Sequence, residues 1–184
     1  KTGLKILRNA KTIIFSTKSY YDELLSQKFM QGDQTEIMSK SKIIPFGIDN
    51  YWLENCTPKD EKPSNENRIK LLYVGKVNKN KNVKSVVLAA SKLKSNNFPV
   101  RLSIVGEVEK KYKKKFERLL NKHEFVQYHK PVAPEKLIEY YRTHHIFLMP
   151  SFKESFGLVY AEAMSQGLPI VYTKGQGFDN QFDD

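Results

Sequence analysis

Residues 146–169 read IFLMPSFKESFGLVYAEAMSQGLP, an order that indicates a buried strand, a loop and a helix. The apolar run 146–149 is long enough for a buried strand, and Pro150 ends it because proline cannot donate to a strand ladder. A helix is predicted over 156–165, and Gly167 is a typical helix stop. This stretch therefore predicts one strand–loop–helix unit of an α/β sheet.

Two glutamates lie in this unit, Glu154 in the loop and Glu162 in the helix. Their separation along the chain would span about 12 Å in a helix, whereas a glycosidase acid/base pair needs carboxyl groups about 5–9.5 Å apart. We therefore expect the two glutamates to contact separate parts of one long ligand. The first amides of the helix lack internal partners and should attract an anion. The alternative is that Glu154 only caps the helix and that Glu162 is solvated.

From residue 68 onward, apolar runs of strand length alternate with segments of helical periodicity. This alternation predicts parallel strands joined by right-handed helical crossovers. The predicted fold class is α/β, a Rossmann-like parallel sheet with helices on both faces. The predicted strands are 68–74, 100–105, 125–128, 146–149 and 169–173, and the predicted helices are 83–94, 110–122, 134–143 and 156–165.

The part of the chain before this alternation is less regular. Residues 12–16 indicate a strand, 20–29 a helix and 42–45 a short strand ended by proline. Residues 32–41 and 51–67 are polar and are expected to be connecting loops.

The segment Pro150–Pro169 resembles the E-x7-E signature of the retaining family-4 glycosyltransferases, which have the GT-B fold. Three more blocks resemble the same family in the same order: Ile43–Asp49 as the entry into its C-terminal domain, Ile69–Lys76 with Lys81–Val83 as its first strand and phosphate loop, and Leu102–Gly106 as its second strand.

This resemblance implies a division of the chain. Residues 1–48 would be the tail of an N-terminal acceptor domain and the hinge, and residues 49–184 a truncated domain that binds a nucleotide sugar. The whole would be the C-terminal half of a GT-B fold, incomplete at both ends. In the family the catalytic cleft lies between two domains, so we expect this chain alone to bind donor with little or no turnover.

A glycine and two lysines are expected to receive the donor diphosphate. Gly75 follows the first regular strand, where doubly wound sheets bind ligands, and glycine lets the backbone approach a phosphate closely. Lys76 and Lys81 flank it and would stabilise the departing nucleoside diphosphate. The family commonly has arginine at position 76, and lysine lacks its bidentate fork. The alternative is that both are ordinary surface lysines of a lysine-rich chain.

The resemblance assigns the other contacts residue by residue. Glu154 would hold hydroxyls of the transferred sugar, and Glu162 would accept hydrogen bonds from the ribose. The remaining donor-binding positions are Gly106 beside the nucleotide, Lys130 and Val132 at the nucleobase edge, and the amides of Phe156, Gly157 and Leu158 at the diphosphate. For Gly106, Lys130 and Val132 the alternative is an ordinary loop.

Composition limits the function classes. The net charge is +11, and much of it lies in residues 109–118, EKKYKKKFER. This run is typical of a solvated helix face, with anionic lipid headgroups or nucleic acid as the alternative partners. No apolar run approaches the roughly 20 residues of a membrane span. Cys56 and the four histidines have no metal-ligand spacing, so we expect no metal site, and we name no general base.

The resemblance implies transfer of a sugar from a nucleoside diphosphate to an acceptor hydroxyl with retention, in surface polysaccharide or glycolipid synthesis. The donor is the substrate, UDP-linked in preference to GDP-linked, and no cofactor is expected. The acceptor is a sugar or lipid-linked molecule, and the expected location is the cytoplasm, with peripheral contact at the inner face of the membrane. One alternative is a non-catalytic basic module that binds nucleic acid or anionic surfaces. A phosphorylase-type relative is less favoured, because no pyridoxal-binding lysine motif is visible.

Overall fold

The structure, a computed structural model, describes residues 2–56 and 67–181. These residues belong to two compact units. The first comprises residues up to Gly47, Lys153–Gly157 and residues from Lys174 on, and the second comprises Ile48–Phe152 and Leu158–Thr173.

The first unit contains more helix than the sequence predicts. Its elements are α1 (Thr2–Asn9), β1 (Ile13–Phe15), α2 (Lys18–Leu25), a 3-10 turn (Lys28–Met30), α3 (Gln34–Ser39) and β2 (Ser41–Ile43), and β1 pairs with β2 in parallel. The prediction of a polar connector over 32–41 is wrong, because Ile37 of α3 is fully buried together with Met30. The guanidinium of Arg8 also donates two hydrogen bonds to the Asp33 carboxylate, at 2.7 and 2.8 Å.

The second unit begins with a short helix, α4 (Asn50–Glu54). The Asp49 carboxylate caps it by accepting a hydrogen bond from the Tyr51 amide at 2.8 Å, and Trp52 is buried. The prediction of a loop over 51–67 is therefore wrong at its start, where a helix forms and buries the Trp52 side chain. The part of that loop at 57–66 lies outside the described residues.

A five-stranded parallel sheet forms the centre of the second unit, in the order β5-β4-β3-β6-β7. The strands are β3 (Ile69–Val74), β4 (Val100–Val105), β5 (Val126–His129), β6 (Ile146–Leu148) and β7 (Ile170–Val171). The direction of strand addition reverses between β3 and β6. All five predicted strands are present, although the predicted strand 169–173 is reduced to two residues.

The connecting helices are α5 (Val83–Ser95), α6 (Lys113–Leu120) after a 3-10 turn (Lys110–Tyr112), α7 (Pro134–Thr143) and α8 (Leu158–Ser165). Right-handed crossovers on either side of the reversal place α5 and α6 on one face of the sheet and α7 and α8 on the other. The predicted fold class, a parallel α/β sheet with helices on both faces, is confirmed.

The core of this unit is built from the side chains between sheet and helices. Leu72, Tyr73, Leu102, Ile104 and Phe147 are all completely buried. Buried parallel strands are typically near-continuous in apolar residues, as residues 71–74 of β3 and 104–105 of β4 are. This rigid sheet fixes where its carboxyl ends lie, and the candidate site is built on those ends.

Candidate functional site

Strands β3 and β4 end in two glycines that touch. Gly75 donates its amide to the carbonyl oxygen of Val105 at 2.9 Å, and Gly106 donates to that of His129 at 3.1 Å. A Cβ atom added to Gly106 would lie 2.0 Å from the carbonyl oxygen of Gly75. Only a residue without a side chain can bring the two strand ends this close.

The pairing continues past the strands. Val77 and Val108 form an isolated parallel bridge, in which the Val77 amide donates to the Glu107 carbonyl at 2.7 Å and the Glu109 amide donates to the Val77 carbonyl at 3.0 Å. Val77 is completely buried. The two loops after β3 and β4 are therefore held in a fixed conformation rather than left to solvent.

A cavity of about 250 Å³, here called the strand-end cavity, opens where these loops meet. Its walls are formed by Val74, Gly75, Lys76, Val105, Gly106, Glu107, Pro131, Val132 and Leu137. The structure thus brings together four of the predicted donor-binding residues, namely Gly75, Lys76, Gly106 and Val132. Lys130 is exposed and does not line this cavity.

The loop that follows β3 is tied to the residues that follow β6. The Asn82 side-chain amide donates to the carbonyl oxygen of Pro150 at 3.1 Å, and the Phe152 amide donates to the carbonyl oxygen of Asn80 at 2.8 Å. Lys81 lies between these anchors and is half-buried. The direction of strand addition reverses between β3 and β6, and the loops that follow these two strands are therefore hydrogen-bonded to each other.

The helix after the acidic loop begins later than predicted. α8 starts at Leu158 instead of Phe156, so the prediction that the Phe156 amide belongs to the first helical turn is wrong. Gly157 has a φ of +85°, a left-handed conformation that interrupts the helix before Leu158. The Phe156 side chain is buried in the first unit, where the rings of Phe46 and Phe178 pack edge-on against it. Leu158 is the first helical residue, so its amide is among those without an intrahelical partner.

Glu162 is half-buried, which excludes the alternative of a fully solvated side chain. The completely buried Tyr141 donates its hydroxyl to Glu162 Oε2 at 3.2 Å. Burial raises the pKa of Glu162, and the hydrogen bond from Tyr141 partly opposes that rise. The pKa of Tyr141 is raised well above its ordinary value by burial and by the neighbouring carboxylate.

The helix that carries Glu162 is anchored at both ends. Tyr160 donates its hydroxyl to the carbonyl oxygen of Met149, at the end of β6. Gln166 donates its side-chain amide to the carbonyl oxygen of Trp52 at 3.0 Å. These bonds fix the position of the Glu162 carboxylate relative to the sheet.

Glu154 lies in the first unit and is also half-buried. Its amide donates to the Gln176 side-chain oxygen at 3.0 Å, and its carbonyl accepts from the Gly177 amide at 2.9 Å. The next carbonyl, that of Ser155, accepts a hydrogen bond from the Thr17 hydroxyl at 3.0 Å. The main chain of this loop is therefore held from two directions.

Sequence reasoning missed several residues that position the candidate site. Nothing in the pattern around Tyr141 indicates that its hydroxyl meets Glu162. Gly177 lies against Glu154, because a Cβ atom on Gly177 would lie 2.9 Å from Glu154 Cγ. The only sequence signal for this contact is the closely spaced pair Gly175 and Gly177.

Two other expectations concern cysteine and metal sites. Cys56 is exposed, as expected for a structural or surface residue. Within residues 2–56 and 67–181, no three His, Cys, Asp or Glu side chains are grouped so that they could hold a metal ion. In the same ranges no helix is long and apolar enough to cross a bilayer.

Known proteins resemble this chain along most of its length. It is 29% identical to the D-inositol 3-phosphate glycosyltransferase of Pseudarthrobacter chlorophenolicus, over 94% of this chain and 42% of that protein. It is 26% identical to the alpha-monoglucosyldiacylglycerol synthase of Acholeplasma laidlawii, over 100% of this chain and 46% of that protein. The chain thus spans less than half the length of these curated relatives.

The fold is shared with solved structures. The catalytic domain of starch synthase IV from Arabidopsis thaliana, bound to ADP and acarbose, superposes with a TM-score of 0.75 at 14% identity, covering 96% of this chain and 43% of that one. At that identity the likeness concerns the fold alone. The family model described as glycosyl transferases group 1 matches residues 57–184, which is most of the chain. The chain therefore belongs to the glycosyl transferases group 1 family.

Proposed function

We propose that this chain is the donor-binding part of a retaining glycosyltransferase of family 4, which moves a sugar from a nucleoside diphosphate to an acceptor hydroxyl. The observation that carries the proposal is the contact between Gly75 and Gly106 beside the strand-end cavity. Two side-chain-free positions at adjacent carboxyl ends of a doubly wound sheet expose the backbone where such sheets bind nucleotides. Family membership supports the same activity.

The diphosphate contacts follow from charge and exposure. Lys76 is exposed at the cavity wall, and Lys81 is half-buried in the loop that follows β3. In the proposed reaction, the bond between the anomeric carbon and the β-phosphate oxygen breaks, and its electron pair leaves with the nucleoside diphosphate. The two ammonium groups would stabilise that developing charge. The acceptor oxygen would form its bond to the anomeric carbon on the same face, while its proton passes to the departing β-phosphate oxygen.

The two glutamates would hold hydroxyl groups. Glu162 is a half-buried carboxylate whose Oε2 accepts a hydrogen bond from Tyr141, and its other oxygen would accept from the ribose. Glu154 would hold hydroxyls of the transferred sugar, with its main chain fixed by Gln176 and Gly177. The amides of Gly157 and Leu158 would receive the diphosphate. Val132 and the Lys130 backbone would meet the nucleobase.

The donor and acceptor classes are part of the proposal. We expect a UDP-sugar in preference to a GDP-sugar, a sugar or lipid-linked acceptor, and a role in surface polysaccharide or glycolipid synthesis.

Contact with an anionic membrane surface is a further part of the proposal. The lysines at positions 110, 111 and 113–115 are exposed, whereas Phe116 of the same helix is buried against Tyr128 of β5. A cationic face of this kind is attracted to anionic headgroups by about 1 kcal/mol per lysine near the surface. Sedimentation with phosphatidylserine vesicles, but not with phosphatidylcholine vesicles, is expected.

Nucleotide titration tests the central proposal. The chain is titrated by calorimetry with UDP, GDP, ADP and a short single-stranded oligonucleotide, and the titrations are repeated with Glu162→Ala. One nucleotide is expected to bind at one site per chain, and the substitution should weaken it by about tenfold, the value of one charge-assisted hydrogen bond.

The matched control is Glu135→Ala, which removes an exposed carboxylate from α7 and should change nucleotide affinity by less than about twofold. Binding of the oligonucleotide alone, with no effect of Glu162→Ala, would reject the transferase proposal in favour of a basic binding module.

A further inference from the structure

We propose that a second cavity on the α7 face of the sheet binds the phosphate group of a small phosphorylated molecule. This basic groove has a volume of about 300 Å³ and is lined by Lys70, Arg101 and Gln127 of the strands and by Lys136, Tyr140 and His144 of the helical side. It shares no lining residue with the strand-end cavity, so it is separate from the proposed donor site.

The strand face beneath the groove is unusually polar for a parallel sheet. The strand register pairs Lys70 with Arg101 and Ser103 with Gln127, so these four residues lie on one face. On the opposite face the same strands present apolar residues, such as the buried Leu102. Because sheets covered on both faces are normally apolar on both, this polar patch marks a region that helix α7 does not seal.

Helix α7 turns a matching polar stripe toward the same cavity. Lys136, Glu139, Tyr140 and Thr143 recur at helical spacing and all line the groove. The buried residues of this helix, Ile138 and Tyr141, belong to its other face. Helix α7 is therefore amphipathic: its apolar side is buried, and its polar side lines the basic groove.

The charges in the groove favour an anion. Lys70, Arg101 and Lys136 are cationic, and Glu139 is the acidic residue of the lining. Within residues 2–56 and 67–181, neither Arg101 nor Lys136 forms an ion pair, and both are exposed. The guanidinium of Arg101 and the ammonium group of Lys136 lie on separate elements, and together they provide donors that suit a phosphate.

The inner wall of the groove is fixed. His144 Nδ1 lies 2.7 Å from the carbonyl oxygen of Tyr140 and must donate to it, so Nε2 is left to accept the hydrogen bond from the Ser103 hydroxyl at 2.8 Å. The His144 ring is stacked on that of Tyr140, with centroids 6.0 Å apart. Burial, with the charges of Lys70, His145 and His129, lowers the pKa of His144 to about 4.

Size and charge together indicate the ligand class. A cavity of about 300 Å³ is at the lower end of the range of small-molecule sites, which suits a phosphate with a small organic group. The neutral rings of Tyr140 and His144 offer a surface for the organic part.

Phosphate titration followed by NMR tests the proposal. The ring C–H signals of His129 and His144 are monitored while the wild-type chain is titrated with inorganic phosphate, glucose 6-phosphate and glucose. We expect saturable shifts with both phosphates and none with glucose. The double substitution Arg101→Gln with Lys136→Gln should weaken phosphate binding by at least about tenfold.

Two controls separate the groove from other sites. The double substitution Lys113→Gln with Arg118→Gln removes the same charge from the exposed face of α6 and should change the affinity by less than about twofold. Lys76→Gln, at the strand-end cavity, should also leave these histidine shifts intact. The proposal would be overturned if both double substitutions weakened phosphate binding equally. It would also be overturned if Lys76→Gln abolished the histidine shifts, or if neither phosphate gave saturable shifts. The nucleotide titrations with Glu162→Ala are independent of all three results.

Discussion

The carbonyl oxygen of Gly75 lies 2.0 Å from the position that a Cβ atom on Gly106 would occupy. Real Cβ atoms do not come this close to a backbone oxygen, so any larger residue at position 106 must push the two strand ends apart. The strand-end cavity is built on this contact, because both glycines belong to its walls. The geometry of the cavity therefore depends on glycine, a residue without a side chain, at both positions.

Substitution of Gly106 by alanine should damage both stability and ligand binding. The added Cβ overlaps the Gly75 carbonyl, and the residue has a φ of +150°, which L-residues rarely adopt. The expected loss is at least about 2 kcal/mol in the free energy of unfolding, or roughly 4–8 °C in Tm. Calorimetry would measure both Tm and nucleotide affinity. Gly47→Ala is the control, because its Cβ would meet nothing within 4 Å; equal effects of the two substitutions would contradict this explanation.

Glu162→Gln should alter the pH dependence of stability. Burial raises the pKa of Glu162 in the folded chain, so the folded state holds this proton more tightly than the unfolded state does. The associated stability is fully present below the ordinary glutamate pKa and is lost as pH rises through the raised value. At pH 7 the glutamine variant should therefore be at least as stable as the wild type while binding nucleotide more weakly. Urea unfolding at several pH values would measure the difference, and an unchanged pH profile would argue against it.

Tyr141→Phe should act on nucleotide binding through Glu162. Loss of the hydroxyl removes the hydrogen bond to Oε2 and should raise the pKa of Glu162 further, at a cost of about 1 kcal/mol in stability. Because we expect Tyr141 to position the carboxylate for the ribose, the substitution should weaken the binding of UDP. It should weaken less the binding of a UDP analogue that lacks the 2′- and 3′-hydroxyls. Tyr112→Phe, beside α6, is the control. A loss that is the same for both nucleotides would leave Tyr141 with a packing role only.

His144→Gln should protect the fold from acid. The pKa of His144 is lowered to about 4, whereas the unfolded chain binds this proton near its ordinary value of 6.5. Stability from the neutral ring is thus present above pH 6.5 and is lost as pH falls toward 4. The variant should lose less stability than the wild type between pH 7 and pH 4.5, as measured by urea midpoints. His123→Gln should behave as the wild type, and an identical acid loss in all three chains would contradict the assignment.

Much of the second unit could be predicted because most residues of its two central strands, β3 and β4, are buried. The apolar runs of β3 and β4 leave no ambiguity in type, and proline or glycine marks their ends. The buried face of helix α8 was harder to predict, because its residues are apolar on nearly all sides. The hydrophobic periodicity then does not indicate which side packs against the sheet. Leu158 and Met164 are 42% and 38% exposed, whereas Tyr160 and Ala163 are buried. Only the neighbouring elements decide which side of such a helix is covered.

The site could be predicted in part for a related reason. A glycine directly after an apolar run is easily recognised in the sequence, and Gly75 and Gly106 do line one cavity. Partners that come from distant positions leave no such mark, and Tyr141 meets Glu162 only because α7 and α8 pack on the same face of the sheet. Helix α3 and the burial of Trp52 were missed because two or three apolar residues in a polar stretch are too few to show a clear period.

The lone cysteine offers a practical use. Cys56 is the only thiol in the chain, it is exposed, and the carbonyl of its neighbour Asn55 accepts a hydrogen bond from the Arg142 guanidinium at 3.0 Å. A maleimide fluorophore would therefore attach at one defined point, next to the helix that carries Tyr141, without any mutagenesis. Its emission would provide an optical reporter of events around that helix when nucleotide is added.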